Sequence, residues 1–344
     1  MKQERLNNLD FIRVIAMIAI LLTHYNAHYL FGDGSLLHAV VITGSVGNLY
    51  IGAWGVTLFF IISGASLMYV YEHKFEMKTF YKKRFLSIYP MFWIAYLVGF
   101  AYRLLTHYNW QGIPKHRILY SILGLDGLFI ANGVRDFYVL GEWFLGFIIL
   151  FYIVFPVLRA AVKKNACITL IFVILLALIT MKVVWRYFPG IVTSTVLFVR
   201  LPEIVFGMVM VKWKAKPSFL SGLISLAVIV ANTIIKPSSI PMDIQVFYVG
   251  VASFFVLSYL ASLIKSEKVM FVFRKVGNYS YAVFLVHHLI TDVFFEKISM
   301  QTMTRTQSYV SFLGLCVIIG FCAWVLYHVN ALVLRMFRRP KGLA

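Results

Sequence analysis

The chain has 344 residues, of which 61% are hydrophobic and only 13% are charged, and its mean hydropathy is +0.84. Soluble domains are about 45–50% apolar and about 25% charged. This composition excludes a water-soluble globule and indicates a polytopic membrane protein. The net charge of +19 would suit a nucleic-acid-binding protein or a membrane protein with basic loops, and the placement of the basic residues decides between the two.

Apolar runs of about 20 residues, long enough to cross a hydrocarbon core of about 30 Å, recur along the whole chain. They predict an all-α bundle of about ten transmembrane helices, forming a single membrane domain over residues 1–344 with no appended soluble domain. The predicted spans are 12–30, 48–71, 86–105, 140–158, 166–185, 196–211, 219–235, 244–264, 277–295 and 308–334. The more polar stretch 106–138 is expected to re-enter the membrane in part.

Most of the 32 Lys and Arg residues fall in the predicted loops on the side of the two termini. Short loops rich in Lys and Arg stay in the cytoplasm, so both termini are predicted to be cytoplasmic. The positive charge is then explained by orientation and by attraction to anionic lipid headgroups, and no nucleic-acid partner is expected. The first apolar run has no small-residue cleavage site and is interpreted as an uncleaved anchor.

Ionisable side chains within a span are costly and therefore mark functional candidates. In the first span, Asp10 and Arg13 lie at the cytoplasmic edge, and His24 lies deep inside. The spacing from Arg13 to His24 is about 1,100° of helix turn, or about 20° past three full turns, with a rise of about 16 Å. The two side chains should therefore share a face. An apolar environment at His24 favours the neutral imidazole, which is the form that a general base needs.

Two other interpretations of His24 follow from the same residues. A lone histidine in an apolar helix can serve only to hydrogen-bond a neighbouring helix. His28, four residues further on, would pair with His24 as a metal ligand, but no carboxylate or cysteine completes such a site in the sequence. No metal is therefore expected. The three cysteines also lack metal spacing and are interpreted as packing residues.

A series of motifs along the chain resembles one known family. The first motif is "LDFIR", whose Arg13 is separated by ten residues from His24. The others are "GVTLFFIISG", "KKRFLSIYP", "EWFLGFIILFYIVFP", "RLPEIVFG" and "GNYSYAVFLVHH". In this order they are similar to the acyltransferase-3 family of integral-membrane O-acyltransferases. One departure is Ser87, which stands where the family often has a second arginine, three residues after Arg84.

The resemblance implies transfer of an acyl group, usually acetyl, from cytosolic acyl-coenzyme A to a carbohydrate hydroxyl. The expected acceptors are bacterial cell-envelope glycans or their lipid-linked precursors, the expected location is the cytoplasmic membrane, and no tightly bound cofactor is expected. His24 is the expected general base, and a covalent acyl-histidine is the alternative route. Arg13, Arg84 and Lys83 are expected to bind the phosphates of coenzyme A. Basic residues at a membrane edge can also serve only to fix orientation, and Ser87 weakens this donor-site assignment.

Several other polar residues are candidates for the pocket or the acceptor site. Asp10 is one, and Glu142 is another because it opens the fourth span, although a solvated carboxylate at a helix end is the simpler interpretation. Ser280 and Tyr281 match the family pattern, and His287 lies about 9 Å above Ser280 at helical rise.

Three further ionisable residues lie in spans but are not assigned to the site. His288, about 100° round from His287, is expected to face packing or lipid. Arg200 and Glu203, three residues apart, are expected to neutralise each other.

The alternative function is a transporter of polysaccharide or lipid-linked sugar. The number of spans suits it, but the sequence shows neither inverted repeats nor paired broken helices. Loss of glycan acylation with normal export would favour the enzyme, and the reverse would favour the transporter.

Overall fold

The computed structural model describes residues 7–30, 36–42, 44–106, 109–140, 142–298 and 303–337, and this part of the chain is almost entirely helical. Its thirteen α-helices are α1 Asn7–Leu30, α2 Ile51–Tyr71, α3 Met77–Leu105, α4 Ile118–Leu123, α5 Asp126–Ile130, α6 Trp143–Lys164, α7 Ala166–Tyr187, α8 Leu197–Lys212, α9 Phe219–Ile235, α10 Met242–Leu263, α11 Glu267–Asn278, α12 Ser280–Lys297 and α13 Arg305–Phe337. Short 3₁₀ turns occupy Leu37–Ala39, Lys115–Arg117 and Thr193–Thr195. Within the described residues, sheet is limited to an antiparallel pair, β1 Ser45–Val46 with β2 Leu49–Tyr50.

Each predicted span corresponds to one helix of the structure. Within the described ranges, seven helices are long and apolar enough to cross a membrane, namely α1, α2, α3, α6, α7, α10 and α13. Helix α9 is apolar but has only 17 residues, and α8 has 16. Helix α12 has 18 residues but carries several ionisable side chains, which lower its hydropathy. The structure thus confirms an all-α membrane helix bundle. Residues 1–6 and 338–344 lie outside the described residues, so the cytoplasmic location of the termini stays a prediction.

Polar caps fix the starts of three helices. The Asn165 side chain accepts a hydrogen bond from the Ile168 amide at the start of α7 (3.0 Å). Ser218 forms a capping box with Ser221 at the start of α9, and Ser266 caps α11. These bonds satisfy amides that the first helical turn leaves without a carbonyl partner, so the sequence specifies where these helices begin.

Contacts within the chain define two compact units. The first draws its residues from Met1–Thr23, Ile42–Phe75 and Ile153–Ser280. The second draws its residues from His24–Val41, Glu76–Tyr152 and Tyr281–Ala344. The single membrane domain over residues 1–344 stays a prediction.

In the first unit, α2 packs against α8 through glycines on both helices. A Cβ atom at Gly64 would lie 2.0 Å from the Ile204 carbonyl oxygen, and one at Gly207 would lie 2.0 Å from the Ile61 carbonyl oxygen. No side chain fits at such distances, so these two glycines permit the backbones to approach. Helix α7 packs on α8, α10 packs on both α2 and α8, and α9 packs on α10.

A buried ion pair lies within α8, and its arginine also binds α2 in the first unit. Arg200 Nη1 lies 3.2 Å from Glu203 Oε1, and Arg200 Nη2 donates to Thr57 Oγ1 at 2.7 Å. The guanidinium also lies over the ring of Phe60, 5.1 Å from its centroid. The prediction that Arg200 and Glu203 pair with each other is confirmed. A charge in an apolar bundle needs such compensation, and Arg200 receives it from Glu203.

In the second unit, aromatic side chains of α3 hold the segment that follows that helix. Tyr89 Oη donates to the Leu123 carbonyl (3.1 Å), Trp93 Nε1 to Ile122 (2.9 Å), and Tyr96 Oη to Phe137 (2.6 Å). Tyr89 lies about 24 Å of helical rise before the end of α3. The α4–α5 segment therefore folds back along α3 to its middle, and its partial re-entry into the membrane stays a prediction. The aromatic donors satisfy carbonyl groups that lipid could not.

We expect Gly64→Ala to destabilise the protein, because the added methyl group would collide with the α8 backbone at Ile204. Overpacking of this kind costs about 1–3 kcal/mol. The matched control is Gly314→Ala in α13, where a Cβ atom would meet nothing within 4 Å. Thermal unfolding in detergent should show a lower midpoint for Gly64→Ala only. Equal midpoints for the two variants would contradict the close approach of α2 and α8.

Candidate active site

His24 lies in α1 at the centre of a group of ionisable side chains in the second unit. Its ring centroid is 4.8 Å from that of His287 and 5.1 Å from that of His288, both on α12. Its Nε2 atom lies 3.7 Å from Glu142 Oε1. The side chain is 20% exposed, so the imidazole is enclosed but not sealed. The predicted candidate base therefore lies beside a carboxylate.

Glu142 immediately precedes α6 and faces two histidines. Its Oε1 atom lies 3.4 Å from His288 Nε2 as well as 3.7 Å from His24 Nε2. The main chain of Glu142 is held by α5, because a Cβ atom at Gly127 would lie 2.6 Å from the Glu142 carbonyl carbon. Glu142 was expected either to orient an acceptor hydroxyl or to be a solvated carboxylate at a helix end. The structure instead places its carboxylate between His24 and His288.

A second carboxylate, Asp292, lies one helical turn beyond His288 on α12. Its Oδ2 atom is 3.2 Å from His288 Nδ1 and 3.6 Å from Arg103 Nη2, and its Oδ1 atom is 3.4 Å from His28 Nε2. Arg103 also donates to Glu296 Oε1 through Nη1, at 2.9 Å. Asp292 therefore connects α1, α3 and α12 by electrostatic contacts.

His288 and His28 take positions that their spacing did not predict. His288 was expected to face packing or lipid, but it faces His24 and Glu142, because both ring nitrogens meet carboxylates. His28 lies against Asp292 and stacks on Phe295, with ring centroids 4.3 Å apart. It does not join His24 at Glu142.

His287 is fully buried beside His24. Its Nδ1 atom lies 2.8 Å from the Phe284 carbonyl oxygen and 3.2 Å from that of Val283. Carbonyl oxygens only accept hydrogen bonds, so Nδ1 carries the ring proton. Nε2 has no hydrogen-bond partner among the described residues. His287 therefore contributes an acceptor nitrogen to the apolar wall next to His24.

One cluster within the described residues has the composition of a metal site. His24, Glu142 and His288 place one ligand atom each within 4.8 Å of one another. The sequence-based argument that no carboxylate completes a site with His24 was therefore wrong, since Glu142 and His288 come from distant parts of the chain. Two histidines and a carboxylate suit a zinc-class divalent cation. The prediction that the protein holds no metal stays a prediction.

Asp10 and Arg13 pair with each other in the first unit. Arg13 Nη1 donates to Asp10 Oδ1 at 2.8 Å, and Arg13 Nη2 donates to Ser66 Oγ at 3.5 Å. Asp10 is buried, and a Cβ atom at Gly277 would lie within 3.7 Å of its carboxylate. Asp10 was a candidate for the acceptor pocket, but its carboxylate holds the Arg13 guanidinium. Arg13 and His24 both lie on the continuous helix α1, as predicted.

The other predicted donor residues lie on α3. The Arg84 guanidinium lies 5.6 Å from the ring centroid of Tyr152 and 6.0 Å from that of Phe80. Lys83 is exposed. Ser87, which replaces the family arginine, donates its hydroxyl to the Arg84 carbonyl at 2.8 Å. A hydroxyl engaged with its own helix does not substitute for a cationic side chain.

Ser280 and Tyr281 begin α12 and are not brought to the histidine cluster. Tyr281 Oη donates to the Ile88 carbonyl at 3.1 Å and so fastens α12 to α3. Ser280 is half-buried at the first position of the helix. Their candidate roles in the pocket stay predictions, and the hydroxyl of Tyr281 has a structural use.

The model of the acyltransferase-3 family, described as an acyltransferase domain, matches residues 6–328, nearly the whole chain. The chain belongs to this family. It is therefore a multi-pass membrane acyltransferase, and family membership agrees with the order of motifs along the sequence. No curated protein and no solved structure matches the chain.

We expect purified protein to contain well below one equivalent of zinc per chain. Each ring nitrogen of His288 faces a carboxylate, and a ring that donates a proton to both has no lone pair left for a cation. Elemental analysis after purification without chelators measures this directly, with His288→Gln as the comparison. One equivalent of zinc in the unaltered protein that disappears in His288→Gln would contradict the prediction and identify a metal centre.

Proposed function

We propose that this acyltransferase moves an acetyl group from cytosolic acetyl-coenzyme A to a hydroxyl of a cell-envelope glycan or its lipid-linked precursor. The proposed location is the cytoplasmic membrane of a bacterium. The observation that carries the proposal is His24 Nε2 lying 3.7 Å from Glu142 Oε1 in a partly open cluster. An imidazole fixed by a carboxylate is the arrangement that general-base acyl transfer needs.

The carboxylate assigns roles to the two ring nitrogens of His24. A carboxylate accepts hydrogen bonds, so Glu142 favours the tautomer of His24 that carries its proton on Nε2. Nδ1 is then the basic nitrogen. The distance of 3.7 Å between His24 Nε2 and Glu142 Oε1 is longer than that of a hydrogen bond. Catalytic contacts of this kind commonly shorten when the substrate binds.

In the proposed reaction, His24 Nδ1 takes the proton of the acceptor hydroxyl while the hydroxyl oxygen attacks the thioester carbonyl carbon. The carbon–sulfur bond then breaks, and the imidazolium returns the proton to the departing thiolate. The products are the acetyl ester and free coenzyme A, so atoms and charge balance. Glu142 stabilises the imidazolium that exists between these two proton transfers.

The donor side of the proposal rests on basic residues. Arg84 and Lys83 lie near the start of α3, and Arg13 lies near the start of α1. Guanidinium groups bind phosphate oxygens in bidentate fashion, which suits the phosphates of coenzyme A. The aromatic rings beside Arg84 restrict its guanidinium and would preorganise it for such a contact. These three residues remain the predicted donor site.

We expect His24→Ala to abolish transfer of radiolabelled acetyl groups from acetyl-coenzyme A to the envelope glycan of the producing cells. Loss of a general base alone costs about 10²- to 10⁴-fold. His328→Ala is the control, because His328 is an exposed histidine in α13 whose Nδ1 contacts its own helix at the Trp324 carbonyl. Unchanged labelling with His24→Ala would refute the proposal. Labelled protein trapped without acceptor would favour the acyl-histidine route over direct transfer.

A further inference from the structure

We propose that Asp292 is a positioning residue for the acyl-transfer site, acting through His288 on Glu142 and hence on His24. This inference rests on the proposed function and deepens it. The four side chains alternate carboxylate and imidazole along a continuous series of contacts of 3.2, 3.4 and 3.7 Å. They come from α1, the residue before α6, and α12, and all belong to the second unit.

His288 faces a carboxylate with each of its two ring nitrogens. Its Nδ1 faces Asp292 Oδ2, and its Nε2 faces Glu142 Oε1. Ionised carboxylates accept and do not donate hydrogen bonds, so a ring that serves both must carry a proton on each nitrogen. His288 is therefore an imidazolium that joins two carboxylates, and a neutral ring would leave one of them without a donor.

Glu142 lies between the imidazoles of His288 and His24. Its Oε1 atom has two imidazole nitrogens near it, at 3.4 and 3.7 Å. With His288 as a cation, the ionised carboxylate is held between His288 and His24. It then faces His24 as an acceptor and fixes which nitrogen of His24 is basic. Removing the charge on Asp292 would release the proton of His288 and remove the support of Glu142.

Asp292 has two further neighbours besides His288. Arg103 and His28 also approach its carboxylate, at 3.6 and 3.4 Å. They restrict its rotation, so the oxygen that faces His288 is fixed. The contact with Arg103 also permits a purely structural role, in which Asp292 serves only to compensate the charge of Arg103. The experiment has to separate these two roles.

The test is a double-mutant cycle on acetyl transfer with Asp292→Asn, His288→Gln and the double variant. If Asp292 acts through His288, Asp292→Asn lowers kcat by about tenfold or more and leaves the KM for acetyl-coenzyme A unchanged. In the His288→Gln background, the same substitution has no further effect on kcat. A fold-change in kcat that persists in the His288→Gln background would overturn the proposal, as would a change in KM alone.

Glu296→Gln is the matched control. Glu296 lies one turn further along α12 and binds the same Arg103, but it does not contact His288. It is expected to retain kcat within about twofold of the unaltered protein, since it stands outside the series of contacts. A loss in Glu296→Gln equal to that in Asp292→Asn would indicate that Arg103 compensation is the important contact, and would also overturn the proposal.

Two outcomes separate this inference from the proposed function. Absence of acetyl transfer by the unaltered protein would refute the proposed function itself. Transfer by the unaltered protein, together with an additive cycle, would refute only the role of Asp292. Should Asp292→Asn fail to fold, as judged by thermal unfolding, Asp292→Ser goes through the same cycle with the same expected outcomes.

Discussion

An ionised side chain within an apolar helix bundle is stable only with a partner, and this constraint accounts for the arrangement of the second unit. Glu142 satisfies it by facing His24 and His288. Asp292 satisfies it by facing His288, His28 and Arg103. Because each carboxylate is shared between helices, the same contacts that make the charges tolerable also bring His24 and its neighbours to one place.

The two buried charge clusters differ in a way that separates structure from function. Arg200 and Glu203 are paired with side chains only 3% and 1% exposed, so neither is open to solvent. The side chains of His24, Glu142 and Asp292 are 20–26% exposed. A sealed pair can only stabilise packing, whereas a partly open cluster can meet a reactant. Of these two clusters, the second is therefore the one proposed for acyl transfer.

The helices and the candidate base could be predicted from the sequence, because both depend on local patterns. Apolar runs specify the spans, and His24 is conspicuous as an ionisable residue deep in one of them. The rest of α12 carried a signal that was missed, since His288, Asp292 and Glu296 recur every four residues and so share one face. Such a polar stripe in an apolar helix predicts an inward face, not packing or lipid.

Glu142 could be named as a candidate, but its contacts and those of Arg103 could not be predicted, because the fold brings these residues together from distant positions. Glu142 and Arg103 reach α12 only through the packing of the second unit. Tyr281 matches the family pattern, yet its hydroxyl binds the Ile88 carbonyl, a contact that spacing alone does not reveal.

In the proposed reaction, the Glu142 carboxylate makes His24 an effective base. The most direct measurement is the steady-state rate of acetyl transfer by Glu142→Gln, an almost isosteric change that removes the charge between His24 and His288. We expect a loss in kcat of about 10²-fold or more, with an unchanged KM for acetyl-coenzyme A. A kcat equal to that of the unaltered protein would contradict it.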